Sequence, residues 1–285
     1  MLRFGGHLTG FNFVNYFSRN ADNLLIGKFL GADALGLYAK AYQLFMLPIG
    51  QITVPMSHVA VPILSSLRTQ PERYVNYYRR LLDIMASLAM PATAYCAVEA
   101  EFLIEVLLGP EWMGVVPVFR ILAVAGLIQA IAGTRGLVLL SCGFSRRYFH
   151  WGLFNASLCV ASFVVGLPFG IEGVAGAYTI VNYAILLPSL FLCFYQTPVT
   201  VSVFMKALVP SLLVSGAATL GVVYAKWIHS PDTVLSHALY ASVFVTLYAG
   251  LSLCRQSIRE TSGLVLRQLA YKNGRTRQFA SQNYR

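Results

Sequence analysis

Asn12–Leu64 reads NFVNYFSRNADNLLIGKFLGADALGLYAKAYQLFMLPIGQITVPMSHVAVPIL. Its patterning decides the fold. Stepped at about 100° per residue, Asn12, Asn15, Arg19, Asp22 and Asn23 fall in one polar sector of a first helix, while Phe13, Val14, Phe17, Ala21 and Leu24 take the far side. A Gly-rich turn follows, and then a second helix on which Lys40, Gln43, Gln51 and His58 form another polar stripe. Pro48, Pro55 and Pro62 recur along it, each removing one backbone donor, so this helix is expected to be interrupted. A pair of apolar helices with one wet face each is the pattern of a lined path.

Composition sets the class. Hydrophobic residues make up 57% of the 285, charged ones 11%, and the mean hydropathy is +0.63. That is a polytopic all-α membrane protein. The net charge of +10 sits in short loops and one tail, as membrane topology requires, and this excludes a nucleic-acid partner. Cys96, Cys142, Cys159, Cys193 and Cys254 stand singly in or beside apolar runs and read as small hydrophobes. The five histidines have no metal-ligand spacing, and no nucleophile motif adjoins them. The N-terminal residues carry no signal-peptide pattern.

A crossing of about 30 Å needs about 20 apolar residues. Eight spans are expected, at about 5–27, 36–64, 82–108, 115–140, 150–168, 173–195, 204–227 and 237–254. They group as a core lobe over 1–195, two further helices over 196–254 and a basic tail over 255–285. One set of loops carries Arg68, Arg73, Arg79, Arg80, Arg146 and Arg147, and the tail adds seven Lys or Arg; the opposite set carries Lys28 alone. The positive-inside rule places the first set, and with it both termini, in the cytoplasm. The segment from Arg68 to Arg80, with Tyr74, Tyr77 and Tyr78, reads as an interfacial helix, and the tail as a ligand for anionic membrane lipids.

The run Asn20–Gly27, then Phe29–Tyr38 and Ala41–Leu44, resembles the Wzx-type polysaccharide flippases of the multidrug, oligosaccharidyl-lipid and polysaccharide exporter superfamily. Val61–Ser65, Leu107–Trp112 and Gly166–Ala175 continue the resemblance in the same order over about 200 residues. Family members have two lobes, and the motifs here are similar to those of the second. The chain is therefore expected to be a piece of a longer reading frame, to pair with a first-lobe polypeptide or as a homodimer, or to be inactive.

The resemblance implies a transporter that moves undecaprenyl-pyrophosphate-linked oligosaccharide from the cytoplasmic to the periplasmic leaflet of a bacterial inner membrane. It would work by alternating access, for exopolysaccharide or lipopolysaccharide biosynthesis. It also implies a cationic cavity. A pyrophosphate needs positive charge in a low-dielectric site and sugars need amides, which makes Arg19, Lys40 and Arg120, with Asn12, Asn15 and Gln43, the cavity candidates. The superfamily commonly couples transport to H⁺ or Na⁺; Asp22 is the ion-coupling candidate, the alternative being simple neutralisation by Arg19. Pro48, Pro55 and Pro62 are hinge candidates, or else static kinks. Lys40 can instead snorkel to the interface; Glu101 and Glu105 are expected to face water, and Arg135 to anchor a helix end. Two other classes stay open: a membrane enzyme of lipid-linked sugar metabolism, and a non-transporting half-lobe partner.

Overall fold

The computed structural model describes residues 20–228 and 234–253. Asn12, Asn15, Arg19 and the basic tail lie outside the described residues. The described part of the first helix, α1, covers 20–29, and Gly31, at φ +93°, supplies the left-handed residue that turns the chain. There follow α2 (Ala32–Ser66), α3 (Pro71–Val98), α4 (Ala100–Leu108), α5 (Val115–Ala132), α6 (Thr134–Ser141), α7 (Ser145–Gly166), α8 (Gly170–Phe194), α9 (Val201–Ile228) and α10 (Val234–Leu253). Asp33 and Glu72 sit in the first turns of α2 and α3, where the helix dipole favours an anion, and Pro71 opens α3 at a position that needs no N–H.

Six described stretches are long and apolar enough to cross a membrane. One of them, Ser145–Phe194, folds back at Leu167–Phe169 into α7 and α8, each sufficient alone. Seven crossings result among the described residues, and the eighth expected span is described only from residue 20. Large apolar side chains such as Leu24, Phe191, Leu213, Leu220 and Trp227 stand exposed on this bundle, as on a surface solvated by hydrocarbon.

The interior is organised around α3, which packs on α2, α5 and α9, and α5, which packs on α2, α3 and α8. Gly126 marks the crossing of three helices: a Cβ there would lie 2.7 Å from Thr93 Cγ2 and 2.8 Å from Phe45 Cε2. One buried cluster joins Leu64, Tyr74, Tyr78, Val138, Leu190 and Phe204 near the arginine-bearing turns. A second joins Ile26, Tyr38, Phe45, Val118 and Phe163 toward the opposite end.

Two local expectations change. Residues 71–80 belong to the continuous helix α3 rather than to a separate interfacial helix. Tyr74 and Tyr78 are fully buried, and their hydroxyls bond Ser141 Oγ at 2.7 Å and Thr134 Oγ1 at 2.8 Å, tying the segment into the bundle. The second helix is not interrupted either: α2 runs 35 residues through Pro48, Pro55 and Pro62. A proline removes only its own donor, and a long helix held by burial of Tyr38, Phe45, Ile49 and Leu64 tolerates that loss.

Candidate functional site

Two polar recesses flank α1 and share the side chain of Tyr42. The first is a cavity of about 310 Å³ within the bundle, lined by Asp22, Gln129, Arg135, Asn155, Tyr178 and Asn182 among others. Asp22 is 2% exposed, and its Oδ1 accepts the Asn23 backbone N–H at 2.8 Å. Across the cavity Gln129 Nε2 donates to the Tyr178 hydroxyl at 2.9 Å, and Asn182 Nδ2 donates to the Tyr178 carbonyl at 2.8 Å. Gln129 Oε1 is buried and finds no hydrogen-bond donor among the described residues. Asp22 and the unmatched amide oxygen of Gln129 thus put two acceptors on the wall of one cavity.

Arg135 supplies the counter-charge to this cavity. Its Nε donates to the Ala132 carbonyl at 2.6 Å, Nη1 donates to Ser189 Oγ, and Cζ lies 5.4 Å from the centre of the Trp151 ring. These contacts fix the guanidinium against α5, α7 and α8. The sequence expectation of an anchor at a helix end therefore gives way to a cavity-lining cation.

The second recess is an open groove of about 460 Å³ along α1 and α2, lined by Asn20, Asn23, Gln43, Met46, Leu47, Gly50 and Gln51. It is rich in amides. The helical period brings Gln43, Leu47, Gln51, Pro55, His58 and Pro62 to the exposed side of α2, so the wet stripe read from the sequence is a surface of the bundle. The structure thus separates Asp22, which faces the inner cavity, from Asn20 and Asn23, which face the groove, although all three lie within one turn.

Lys40 lies apart from both recesses, its Nζ 5.9 Å from the centre of the Trp112 ring. Arg120 is not brought to either recess. It stands on the surface, half exposed, donating to Glu101 Oε1 at 3.1 Å, and the apolar turns of α5 around it face the core instead. Gln129, Asn155, Tyr178 and Asn182 were not singled out in the sequence. Each is a polar side chain inside an apolar helix, and that isolation is the signal that could have found them.

Comparison with known proteins bears out the resemblance read from the sequence. The family described as polysaccharide biosynthesis protein matches residues 1–117. The teichuronic acid biosynthesis protein TuaB of Bacillus subtilis (strain 168) is 26% identical over 215 residues, covering 75% of this chain and 44% of that protein. The lipopolysaccharide biosynthesis protein WzxC of Escherichia coli (strain K12) is 26% identical over 166 residues, 58% of this chain and 34% of that one. Among solved structures, lipid II flippase MurJ in an inward closed conformation superposes with a TM-score of 0.69 at 13% identity, over 84% of this chain and 50% of that one. The chain spans half or less of the length of these proteins. It is a multi-pass helical membrane protein, similar in sequence to polysaccharide biosynthesis proteins of the Wzx type and in fold to a lipid II flippase.

Proposed function

We propose that the chain forms one lobe of a flippase that carries a lipid-linked oligosaccharide from the cytoplasmic to the periplasmic leaflet of the inner membrane. The observation that carries this reading is the amide-lined groove of α1 and α2, open on the outside of the bundle and backed by the cavity that holds Asp22 and Arg135. Asn20, Asn23, Gln43 and Gln51 carry amide donors and acceptors of the kind that sugar hydroxyls bond. An open polar face in a hydrocarbon-solvated protein calls for a partner. A first-lobe polypeptide or a second copy closing over the groove would complete a path for the headgroup, while the lipid chain stays in the bilayer. Alternating access then amounts to rocking of two lobes about that path, with no covalent step.

Asp22 is the coupling group in this scheme. Loading its cavity with H⁺ or Na⁺ changes the charge behind α1 and biases one arrangement of α1 and α2 over the other. The arginine-bearing turns mark the cytoplasmic side, which puts both termini there.

Reconstitution of the chain into liposomes with fluorescent undecaprenyl-pyrophosphate oligosaccharide, alone and with a first-lobe partner, tests the reading. Leaflet movement is expected to fall at least about tenfold in the Gln43→Leu, Gln51→Leu double variant, the loss of two hydrogen-bonding contacts. Asp22→Asn is expected to leave binding intact and remove dependence on an imposed ion gradient. Equal rates for native and double variant would refute the groove as the path.

A further inference from the structure

A third recess lies between the first half of α7 and the last turns of α8, separate from the groove of α1 and α2. It has a volume of about 1000 Å³ and opens toward the membrane-facing surface at the end of the bundle where the arginine-bearing turns meet. Its body is apolar: Phe154, Pro188, Phe191 and Leu192 are exposed along it, and buried Trp151 forms its back wall. Its rim is cationic. Arg146 and Arg147 come from the first turn of α7, and Arg68 reaches the same rim, its Nη1 lying 3.1 Å from where a Cβ on Gly143 would stand.

The two rim arginines differ. Arg147 is committed to the scaffold: it donates to the Tyr195 carbonyl and to Gln196 Oε1, and its Cζ lies 4.6 Å from the Phe144 ring centre and 5.5 Å from that of Tyr195. It locks the turn that shapes the groove. Arg146 is exposed and makes one long contact, Nε to His150 Nε2 at 3.4 Å. Among the described residues no carboxylate lines the recess, and none pairs with Arg68, Arg146 or Arg147.

From this geometry we infer that the α7–α8 groove is a binding site for an anionic diacyl phospholipid, its phosphate held at Arg146 and its chains laid along Phe154, Phe191 and Leu192. The charge complementarity is one-sided, since a cationic rim without acidic neighbours repels cations and gains from a phosphate, which an arginine can meet with two parallel hydrogen bonds. The recess also has the proportions of a ligand pocket rather than of the ridged surface that bulk lipid covers. Trp151 gives the site a mechanical connection: it lines both the groove and the inner cavity, and Arg135 lies over its ring. A lipid seated here buttresses the wall of the cavity that holds Asp22 and Arg135.

The test is photolabelling of the full chain in nanodiscs of phosphatidylcholine. A few per cent of either phosphatidylglycerol or phosphatidylcholine carries a diazirine in the acyl chain, and labelled peptides are mapped by mass spectrometry. Peptides covering 145–154 and 188–195 are expected to take the phosphatidylglycerol probe about fivefold more than the phosphatidylcholine probe, the scale of one arginine near an anionic headgroup. Arg146→Gln is expected to abolish that preference and leave phosphatidylcholine labelling unchanged. Leu192→Trp narrows the groove and is expected to reduce both labels, while Arg255→Gln in the tail is expected to alter neither. Equal labelling by the two probes in the native chain would overturn the proposal. So would a preference that survives Arg146→Gln, or labelling displaced by soluble glycerol phosphate, which would mark a phosphate site without a chain groove. The readout is independent of transport, so a failed transport assay does not decide it.

Discussion

At the residue scale, the arginines illustrate how little a charge in a sequence says about where it ends up. Arg120 and Arg135 both lie in the stretch Val115–Ser141. The first emerges on the surface beside Glu101, and the second turns inward onto Ser189 and Trp151. They lie about four turns of helix apart, on either side of Gly133, where α5 gives way to α6. That break left no strong mark in the sequence, so the cavity-lining role of Arg135 was not legible. The amides of α2 were, because a stripe of Gln43 and Gln51 on an apolar helix survives any small change of pitch. Two substitutions separate these environments. Arg120→Gln removes half of an exposed pair and is expected to change thermal stability in detergent by less than about 0.5 kcal/mol. Tyr178→Phe removes the acceptor of Gln129 Nε2 in a buried setting and is expected to cost about 1 kcal/mol or more, read in the same unfolding experiment.

The elements are held by different devices along the chain. Within the core lobe, apolar interdigitation dominates, and the close approach of α7 and α8 depends on Gly166 and Gly173, where a Cβ at either position would lie 2.5 Å from the other's backbone oxygen. The two C-terminal helices add a polar device to their apolar packing on α3. Glu99, buried at the α3–α4 junction, pairs with Lys226 of α9 at 2.8 Å and with His237 of α10 at 2.7 Å. Lys226 Nζ also donates to the Val98 carbonyl at 3.1 Å, and Phe102 stacks on His237 with centroids 3.9 Å apart. One carboxylate therefore docks two helices onto the core. Glu99→Leu leaves Lys226 and His237 facing a nonpolar group and is expected to cost about 3 kcal/mol. Hydrogen exchange resolves the effect: α9 and α10 should lose protection while α2, α3 and α5 keep theirs, and a uniform loss would contradict the clamp. The sequence could not reveal this clamp, because Glu99 is separated from its partners by over a hundred residues.

For the molecule as a whole, the class and the crossings followed from hydropathy and loop charge, since a bilayer leaves a chain few ways to satisfy its backbone. What hydropathy did not convey is which polar faces meet each other inside the bundle. Asp22 and Asn23 are neighbours in sequence and face different recesses, and that division depends on how α1 is rotated against α2, α5 and α8. The account therefore stands or falls on the groove of α1 and α2 being the side that meets substrate. Benzophenone placed singly at Gln43, Gln51, Leu213 or Leu220, in membranes containing radiolabelled undecaprenyl-pyrophosphate oligosaccharide, examines this directly. All four positions are exposed on the bundle, so access alone does not discriminate among them. The account predicts sugar-bearing adducts at Gln43 and Gln51 and none above background at Leu213 and Leu220. Adducts of equal yield at all four positions, or at the α9 positions alone, would contradict it.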